Sequence, residues 1–452
     1  MSTRASARFV ACALLVAAPA CRRTIVDTAP APAGSDAPAP PGSTSVASAN
    51  DAAPRTKIEI ELAIAGDVIP HRRVVEDDLD AIFASVPSCW SRADARVLNL
   101  EAPIGGRVAG KGEEQLLVYA SPPDWFGKLA TASHASVMVA ANNHSCDLGP
   151  AGLSSTLTEA SHRSMTIAGV SADDPWTPVE VVDKAGRRVC IVAWTTFLND
   201  KGKRQTACVE GVEPYPARVA RAELSKAGTA LLHEKLGGAH RWEGCDARIA
   251  YLHGGGEYRA QLDGVLEQAS AAATYVDAVI VSHPHVPDAV EVIAAPPRPA
   301  GADAEEPAAA RASGRGVPVF KSLGNFVSNQ GYGWSLGMSA ELITAGGTPD
   351  PLSIVWTRVA MIARLRLSWD ADAAVGAPPS DVRYGFTLAF TERGPKSAPT
   401  IRLRALPASV SEAPDAVAAK LRKGPKPFAA LLDAPCRLDD DAAPTCEATA
   451  PR

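Results

Sequence analysis

Two histidines separated by a single residue, His283 and His285, follow the apolar run 277–282. Such a run predicts a short buried strand, and residues at i and i+2 of an extended chain point the same way. Pro284 restricts its own backbone and biases its neighbour away from helix, which favours this extended geometry. Because neutral imidazole is a common metal ligand, the pair predicts a site for one divalent metal ion or two adjacent ones.

Other apolar runs also end in residues of the kinds that ligate metals. These residues are Asp67, Glu101, Asn143 with His144, and His253. In an open α/β sheet, ligands bind in the crevice beyond the carboxyl ends of the strands, so these side chains are predicted to converge. A mixture of carboxylate, carboxamide and imidazole without thiolate suits manganese, iron, zinc or magnesium, and the pattern does not distinguish between them. One or two such ions would polarise a phosphoryl-like group and activate a water molecule.

Each of these residues also has a purely structural interpretation. A single histidine such as His253 is commonly a buried, hydrogen-bonded side chain, and Asp67 and Glu101 could cap helices. Capping is the favoured interpretation for Asp147, which precedes a predicted helix. Further residues have supporting roles by hypothesis: Asn99 orients Glu101, Glu257 begins a helix or lines the cleft, and Asn325 forms a turn near the site.

Alternation of strands and helices is the feature that would position these residues. Periodicity predicts strands over 58–65, 96–101, 135–141, 188–195 and 247–253, and helices over 78–84, 123–132, 152–162, 217–235 and 258–275. Strands dominate afterwards, over 289–293, 317–327, 352–367, 384–391 and 400–406. The order predicts an α/β fold whose sheets are flanked by helices, with a second sheet built from the C-terminal runs.

Composition limits the classes of partner. The chain has 452 residues, 46% hydrophobic and 21% charged, with a formal net charge of −5. No basic stripe stands out, which argues against nucleic acid as a partner. No apolar run beyond the N-terminal one is long enough to span a bilayer.

The N-terminal residues are typical of a targeting segment. Arg4 and Arg8 precede the apolar run 9–18, and small residues lead to Cys21. Either a signal peptidase cuts nearby, or Cys21 is the acylated first residue of a lipoprotein, which we favour because a long tether follows. Both interpretations predict an exported protein. The predicted organisation is a signal over 1–21, a disordered tether over 22–54, a domain over 55–410, and a short helix with an acidic tail over 411–452.

Seven of the nine cysteines lie beyond this segment, and an oxidising compartment predicts that some of them pair. The predicted pairs are Cys208 with Cys245 and Cys436 with Cys446, and Cys190 is predicted to stay free.

Six motifs in order resemble those of the capsule synthesis protein family CapA, which is similar to calcineurin-like metallophosphatases. They are Gly66-Asp67-Val68, Asn99 to Ile104, Ala141 to His144 with Asp147 and Gly149, His253 to Tyr258, His283 to Val286 with Glu291, and Ser322 to Phe326. The resemblance spans residues 57–330 and implies a four-layer α/β/β/α sandwich. It implies that Asp67, Glu101 and His285 hold one metal ion, that Glu101, Asn143, His253 and His283 hold a second, and that His144 protonates a leaving group.

Two departures from that pattern concern the metal sites. Ile69 stands where the superfamily has a histidine ligand, with His71 as a possible substitute, and Gly254 replaces the tryptophan usual in the family. The resemblance favours a role in synthesis, attachment or export of an anionic capsular polymer. The alternatives are a metal-dependent phosphoesterase or polymer hydrolase, and a non-catalytic binding scaffold with a degenerate metal site.

Overall fold

The computed structural model describes residues 57–106, 119–238, 240–260, 263–297, 314–331, 354–393, 401–406, 421–422 and 426–448. All of them belong to one compact unit, residues 54–452. The predicted signal and tether, with Cys21, lie outside the described residues, as does the predicted boundary at residue 410.

The described strands and helices follow the predicted alternation. The strands are β1 (Lys57–Val68), β2 (Ala95–Leu100), β3 (Val137–Val139), β4 (Thr166–Ala168), β5 (Val170–Ser171), β6 (Val179–Lys184), β7 (Arg187–Thr195), β8 (Arg218–Val219), β9 (Ala247–His253), β10 (Ala278–Ser282), β11 (Pro287–Ala294), β12 (Gly316–Leu323), β13 (Asn325–Val327), β14 (Val359–Asp370), β15 (Asp381–Arg393), β16 (Ile401–Leu406) and β17 (Cys446–Glu447). The helices are α1 (Arg72–Val75), α2 (Leu79–Ala84), α3 (Ser88–Arg92), α4 (Pro123–Ser133), α5 (Gly149–Ser161), α6 (Lys203–Glu210), α7 (Lys226–Gly237), α8 (Asp263–Ala273) and α9 (Lys426–Ala429).

Two large sheets form the centre of the fold. The first has the strand order β16-β15-β14-β1-β2-β3-β4, with β13 also pairing with β1 and β17 with β15. The second has the order β11-β12-β10-β9-β7-β6. The expected second sheet built from the C-terminal runs is therefore wrong, because β14 pairs with β1 and carries β15 and β16 into the first sheet. In each sheet the strands that lead to predicted site residues are parallel: β1, β2 and β3 in the first, and β9 and β10 in the second, where β7 is also parallel to β9.

The two sheets pack face to face and helices cover the outside. Alternate residues of β9 show this: Ile249 and Tyr251 lie in the core shared with the first sheet. Ala250 and Leu252 point the other way, into a second cluster that contains apolar residues of α7 and α8. Apolar residues of α2 and α4 pack with the first sheet. The predicted α/β class and four-layer α/β/β/α arrangement are therefore confirmed.

The carboxyl ends of the parallel strands of both sheets lie on the same side of the sandwich. Asp67 is in register with Asn99 in the first sheet, and Thr195, His253 and Ser282 are in register in the second. The hydroxyl of Tyr251 donates to the carbonyl of Ala65 (3.3 Å), which joins the sheets near these ends. Residues that are distant in sequence are thereby brought to one edge.

Two predicted helices begin later than expected. Over 217–235, residues 218–219 form β8, and α7 begins only after Ser225, whose hydroxyl accepts the amide N–H of Gly228 (3.1 Å). Over 258–275, the described helix is α8 from Asp263, and Tyr258 has a φ of 59°, which a right-handed helix does not allow. Helical spacing identified the apolar faces but not these starting points.

The disulfides correct part of the predicted pairing. Cys436 pairs with Cys446 as predicted, whereas Cys208 pairs with Cys146 and Cys190 pairs with Cys245. The predicted Cys208–Cys245 pair and the predicted free Cys190 are therefore wrong. Among the described residues the free thiol is Cys89, and burial raises its pKa to about 11. It is a buried, unreactive side chain.

The described C-terminal residues belong to the main sheet and core. Strand β17 pairs with β15, and the side chains of Phe428 and Leu432 are buried in the central core. The Asp440 carboxylate accepts the amide N–H groups of Ser88 (2.8 Å) and Cys89 (2.9 Å) at the start of α3. Within the described ranges, no helix combines the length and apolar composition that a membrane crossing requires.

Candidate metal centre

Glu101 occupies the middle of the candidate site. It follows β2 directly, and its amide N–H donates to the carbonyl of Val68 (3.0 Å), which holds it between the ends of β1 and β2. Its side chain is fully buried, and neither carboxylate oxygen has a hydrogen-bond partner. Burial, with the nearby Asp67, Glu257 and Asp147 carboxylates, raises the pKa of Glu101 well above its ordinary value. Buried carboxylates are normally paired with a cation or bound to a metal ion, and Glu101 has no such partner here.

His283 and His285 lie beside Glu101, although their backbone is not the predicted extended one. Strand β10 ends at Ser282, and the two histidines have φ values of 104° and 59°. The prediction of an extended i, i+2 pair is therefore wrong, and both imidazoles face one volume through left-handed turn geometry instead. Such strain in non-glycine residues persists where surrounding contacts hold it, and it is concentrated at functional sites.

These three side chains form a group that could hold a metal ion. One ligand atom each of Glu101, His283 and His285 lies within 4.8 Å of the others, and all three residues are buried. Burial, together with the neighbouring histidines, lowers the pKa of His283 well below its ordinary value, so its imidazole is neutral. His283 Nδ1 is buried without a hydrogen-bond partner. Neutral imidazole and an unpartnered carboxylate are suitable donors for a divalent cation.

Asp67 is held at the edge of this group by its neighbours. Asn99 Nδ2 donates to Asp67 Oδ1 (2.8 Å), and the backbone N–H of His283 donates to Asp67 Oδ2 (3.4 Å). Asp67 Oδ2 lies 3.3 Å from His285 Nδ1. Neither Asp67 nor Glu101 caps a helix, which removes the alternative interpretation of both residues. The predicted contact of Asn99 with Glu101 is replaced by contacts with Asp67 and, at 3.2 Å, with His253 Nδ1.

His253 and Asn143 lie on the other side of Glu101. His253 Nε2 is 2.8 Å from Asn143 Oδ1 and 3.7 Å from Glu101 Oε1. Its other ring nitrogen is 2.9 Å from Ser282 Oγ, which orients the ring. Burial and the nearby histidines lower the pKa of His253 well below its ordinary value. A cation at this position would take the place of the contact between His253 and Asn143.

Asn325 orients His285 from behind. Its amide nitrogen donates to Gln330 Oε1 (2.9 Å) and to the carbonyl of Thr357 (3.1 Å), so its oxygen faces His285. His285 Nδ1–H donates to that oxygen (3.0 Å), which leaves Nε2 as the acceptor, 3.8 Å from Glu101 Oε1. Metal-ligating histidines almost always have such a partner for their other nitrogen.

Replacing Asn325 by Ala is expected to weaken metal binding 10- to 100-fold, because His285 loses the group that fixes its tautomer. Isothermal titration of the metal-stripped protein with Zn²⁺ or Mn²⁺ measures this. Asn329→Ala is the control, since Asn329 is a neighbouring amide whose backbone N–H, rather than its side chain, contacts His71. Equal affinities of the Asn325→Ala variant and the unsubstituted protein would contradict the assignment.

His144 and Asp147 form a buried pair beside Glu101. His144 Nδ1–H donates to Asp147 Oδ2 (2.7 Å), and His144 Nε2 lies 3.9 Å from Glu101 Oε1. The same Asp147 oxygen accepts the backbone N–H of Tyr119 (2.6 Å), and the Tyr119 ring lies on the His144 ring with centroids 4.1 Å apart. Helix α5 has Leu148 at its N-cap without a side-chain cap, so the predicted capping role of Asp147 is wrong.

The hydrogen-bonding state of the candidate ligand atoms shows which of them are available to a divalent ion. Glu101 and His283 have buried atoms without hydrogen-bond partners, and together with His285 they form one group that suits a divalent ion. The predicted division of the ligands between two ions stays a prediction, because Asp67, Asn143 and His253 are hydrogen-bonded to neighbouring side chains.

Comparison with known proteins agrees with this geometry. Residues 61–330, more than half of the chain, match the bacterial capsule synthesis protein PGA_cap family. The chain belongs to this family. The PGA biosynthesis protein CapA of Bacillus subtilis (strain 168) is 23% identical over 286 residues, which cover 60% of this chain and 64% of that protein. The matched region therefore spans less than two thirds of that relative's length.

The departures from the metallophosphatase pattern are visible in this PGA_cap protein. Ile69 is fully buried, and its backbone N–H donates to Val327 (2.9 Å). His71 Nδ1 accepts the backbone N–H of Asn329 (3.2 Å), and its Nε2 lies 3.3 Å from the Tyr119 hydroxyl. Both ring nitrogens of His71 are thus used, which argues against His71 as a replacement ligand. At Gly254 an added Cβ would lie 2.3 Å from Thr196 Oγ1, so Thr196 occupies the space of a side chain there.

Other residues of the PGA_cap site were predicted differently or missed. Glu257 is exposed and near enough to raise the pKa of Glu101, so it lies at the mouth of the site and does not begin the described helix α8. Asn199 was missed: its amide contacts both ring nitrogens of His144 at 3.3 Å, and its backbone N–H donates to Asn143 (2.9 Å). Nothing in the composition of this polar insertion distinguishes Asn199 as a site residue. Its place after the carboxyl end of β7 is the one feature that could have indicated it.

Proposed function

We propose that this protein acts in synthesis, attachment or export of an anionic, poly-γ-glutamate-like capsular polymer. In this proposal the buried centre hydrolyses an amide or phosphoester bond with the help of one or two divalent metal ions. The observation that carries it is the fully buried Glu101 carboxylate, which has no hydrogen-bond partner and lies among four histidines. Membership of the capsule synthesis family supports the choice of substrate.

Glu101, His283 and His285 would hold the ion, and Asp67, Asn143 and His253 would complete its surroundings. A bound divalent cation supplies charge that polarises the scissile group and lowers the pKa of a water molecule. The residues of this chain supply orientation and proton transfer. Asp147 holds the Nδ1–H of His144, so that Nε2 faces the centre, and the imidazolium form of this ring would deliver its Nε2 proton to a leaving group and become neutral. Tyr119 covers the outer face of the same ring.

The test uses the full chain, purified, stripped of metal and reloaded with Mn²⁺ or Zn²⁺. Metal content and cleavage of bis(p-nitrophenyl) phosphate and poly-γ-glutamate are then measured. His283→Ala is expected to lose both metal and activity. His144→Ala is expected to keep the metal and lose 10²- to 10⁴-fold in rate. His233→Ala is the control, because His233 lies on α7 and contacts Tyr275. Absence of bound metal together with absence of cleavage would remove the proposal.

A non-catalytic scaffold is the second candidate. It is favoured by Ile69, which is buried where the superfamily has a ligand, and by the engagement of His71 elsewhere. An incomplete site favours binding of the polymer over turnover. The two candidates differ in cells: if His144→Ala restores normal polymer attachment to a deletion strain, the scaffold is supported and the hydrolase is not.

Export and lipid attachment at Cys21 are part of the proposal. They rest on the basic and apolar residues that precede Cys21. Mass spectrometry of the mature N-terminus tests them, since acylated Cys21 would be its first residue, and retention of residues 1–20 would contradict this.

A further inference from the structure

Two surface segments flank the histidines of the candidate centre. The first is the insertion 197–210, in which the Phe197 ring lies edge-on to His283 with centroids 5.0 Å apart. The second is the run 254–260, in which the Tyr258 ring lies 5.8 Å from His285. Both segments therefore lie next to the histidines of the centre.

The insertion is firmly attached to the loop that carries Asn143 and His144. The Cys146–Cys208 disulfide joins that loop to α6. Arg204 Nη2 donates to the carbonyl of Asp147 (2.6 Å), and its Nε lies 3.0 Å from Asp200 Oδ2. The insertion therefore keeps a defined position relative to the centre.

Both segments carry exposed cations. They are Lys201, Lys203 and Arg259, and none of them makes an ion pair within the part of the chain that the structure describes. Asn199 contacts His144. Lys201 is two residues beyond Asn199, so the Cα atoms of Lys201 and Asn199 are at most about 8 Å apart. Arg259 follows Tyr258 and folds over Gly256, where an added Cβ would lie 2.8 Å from the guanidinium Nε. The glycine makes this close approach possible.

The unpaired cations of these segments, which stand beside the exposed acids Glu210 and Glu257, are opposite in charge to the carboxylates inside the centre. Asp67, Glu101 and Asp147 are buried carboxylates, a suitable lining for a metal ion and an unfavourable one for an anionic polymer. Unpaired cations on both sides of the mouth would hold a chain with repeated negative groups while one of its bonds lies at the centre. A small neutral substrate would gain nothing from them.

We propose that Lys201, Lys203 and Arg259 form a binding rim for a polycarboxylate chain, with carboxylates on both sides of the scissile bond. This inference rests on the proposed function and adds to it the residues that recognise the polymer. The lysines act as mobile point charges, and the Arg259 guanidinium can bind a carboxylate through two N–H groups.

The test compares two full-length variants with the same change in net charge. The rim variant is Lys201→Gln, Lys203→Gln and Arg259→Gln. The control variant is Lys57→Gln, Lys226→Gln and Arg402→Gln. The control residues are also exposed, and they lie at the start of β1, at the start of α7 and on the edge strand β16. Lys57 is at the opposite end of β1 from Asp67, about 33 Å away along the strand.

Binding of poly-γ-glutamate is measured at several salt concentrations. The rim variant is expected to bind about tenfold more weakly, with a smaller salt dependence, and the control variant within about twofold of the unsubstituted protein. Zn²⁺ affinity is expected to be unchanged in both. Equal binding by the two variants would overturn the inference and leave the metal-dependent function intact. Absence of binding by the unsubstituted protein would overturn both.

Two further outcomes would also overturn the inference. A loss of Zn²⁺ affinity in the rim variant would show that these residues support the centre and do not contact the polymer. Unchanged poly-γ-glutamate binding with loss of binding to phosphatidylserine vesicles would assign the cations to an anionic membrane surface.

Discussion

Replacing Glu101 by Gln is expected to abolish metal binding while making the metal-free protein more stable. The carboxylate is fully buried with both oxygens unpartnered, so the metal-free fold carries the cost of an uncompensated acid. A neutral amide reduces that cost, and we expect a gain of about 1 kcal/mol in the free energy of unfolding. Removal of a central ligand should lower metal affinity by more than the 10- to 100-fold typical of supporting residues.

The order of stability should therefore reverse when metal is added. At a free metal concentration of 100 times Kd, the unsubstituted protein gains about 2.7 kcal/mol and the variant gains almost nothing. Thermal unfolding with and without Zn²⁺, together with titration calorimetry, measures both effects. Glu257→Gln is the matched control, because Glu257 is an exposed carboxylate at the mouth of the same site. Metal binding by Glu101→Gln equal to that of the unsubstituted protein would disprove the role of Glu101.

Removal of the Cys146–Cys208 disulfide should have the next largest effect. The disulfide closes a loop with a sequence separation of 62, for which loop-closure entropy predicts a loss of about 4 kcal/mol in unfolding free energy. Cys208 is the buried residue of α6, so without the disulfide this helix loses its main attachment to the core. We therefore expect Cys146→Ser with Cys208→Ser to increase amide hydrogen exchange over residues 203–210.

Cys436→Ser with Cys446→Ser is the control for this prediction. That disulfide has a sequence separation of 10, for which the same argument gives about 3 kcal/mol. It lies in the C-terminal residues, so exchange over 203–210 should not change. Denaturant unfolding and hydrogen-exchange mass spectrometry measure the two effects. Unchanged exchange of α6 in the Cys146 and Cys208 variant would show that Arg204 and the neighbouring backbone contacts are sufficient to hold the insertion.

Residues at the ends of strands were the most predictable part of the site. Asp67, Glu101, Asn143, His253, His283 and His285 each follow or end an apolar run, and parallel strands place such residues at one edge. The geometry of His283 and His285 was not predictable in the same way. Their positive φ values depend on tertiary contacts, including the N–H bond of His283 to Asp67 and the bond of His285 to Asn325. Local periodicity contains no information about those partners.

The role of Asp147 shows the same limit. An acidic residue just before a helix usually caps it, but this carboxylate is directed to His144 and to the backbone of Tyr119. The disulfide partners were undetermined for a related reason. Cys146, Cys190, Cys208 and Cys245 allow several pairings, and only the packing of the strands and α6 decides between them.

Sequence by itself therefore determined the alternation of strands and helices, the family and the set of residues with ligand chemistry, because these depend on residue type and local spacing. Tertiary structure alone decided that Glu101 has no hydrogen-bond partner, that His144 is held by Asp147 and Asn199, and that the cationic insertion lies beside the centre. These features arise from contacts between residues that are far apart in the chain, and each contact is selected by packing of the whole fold.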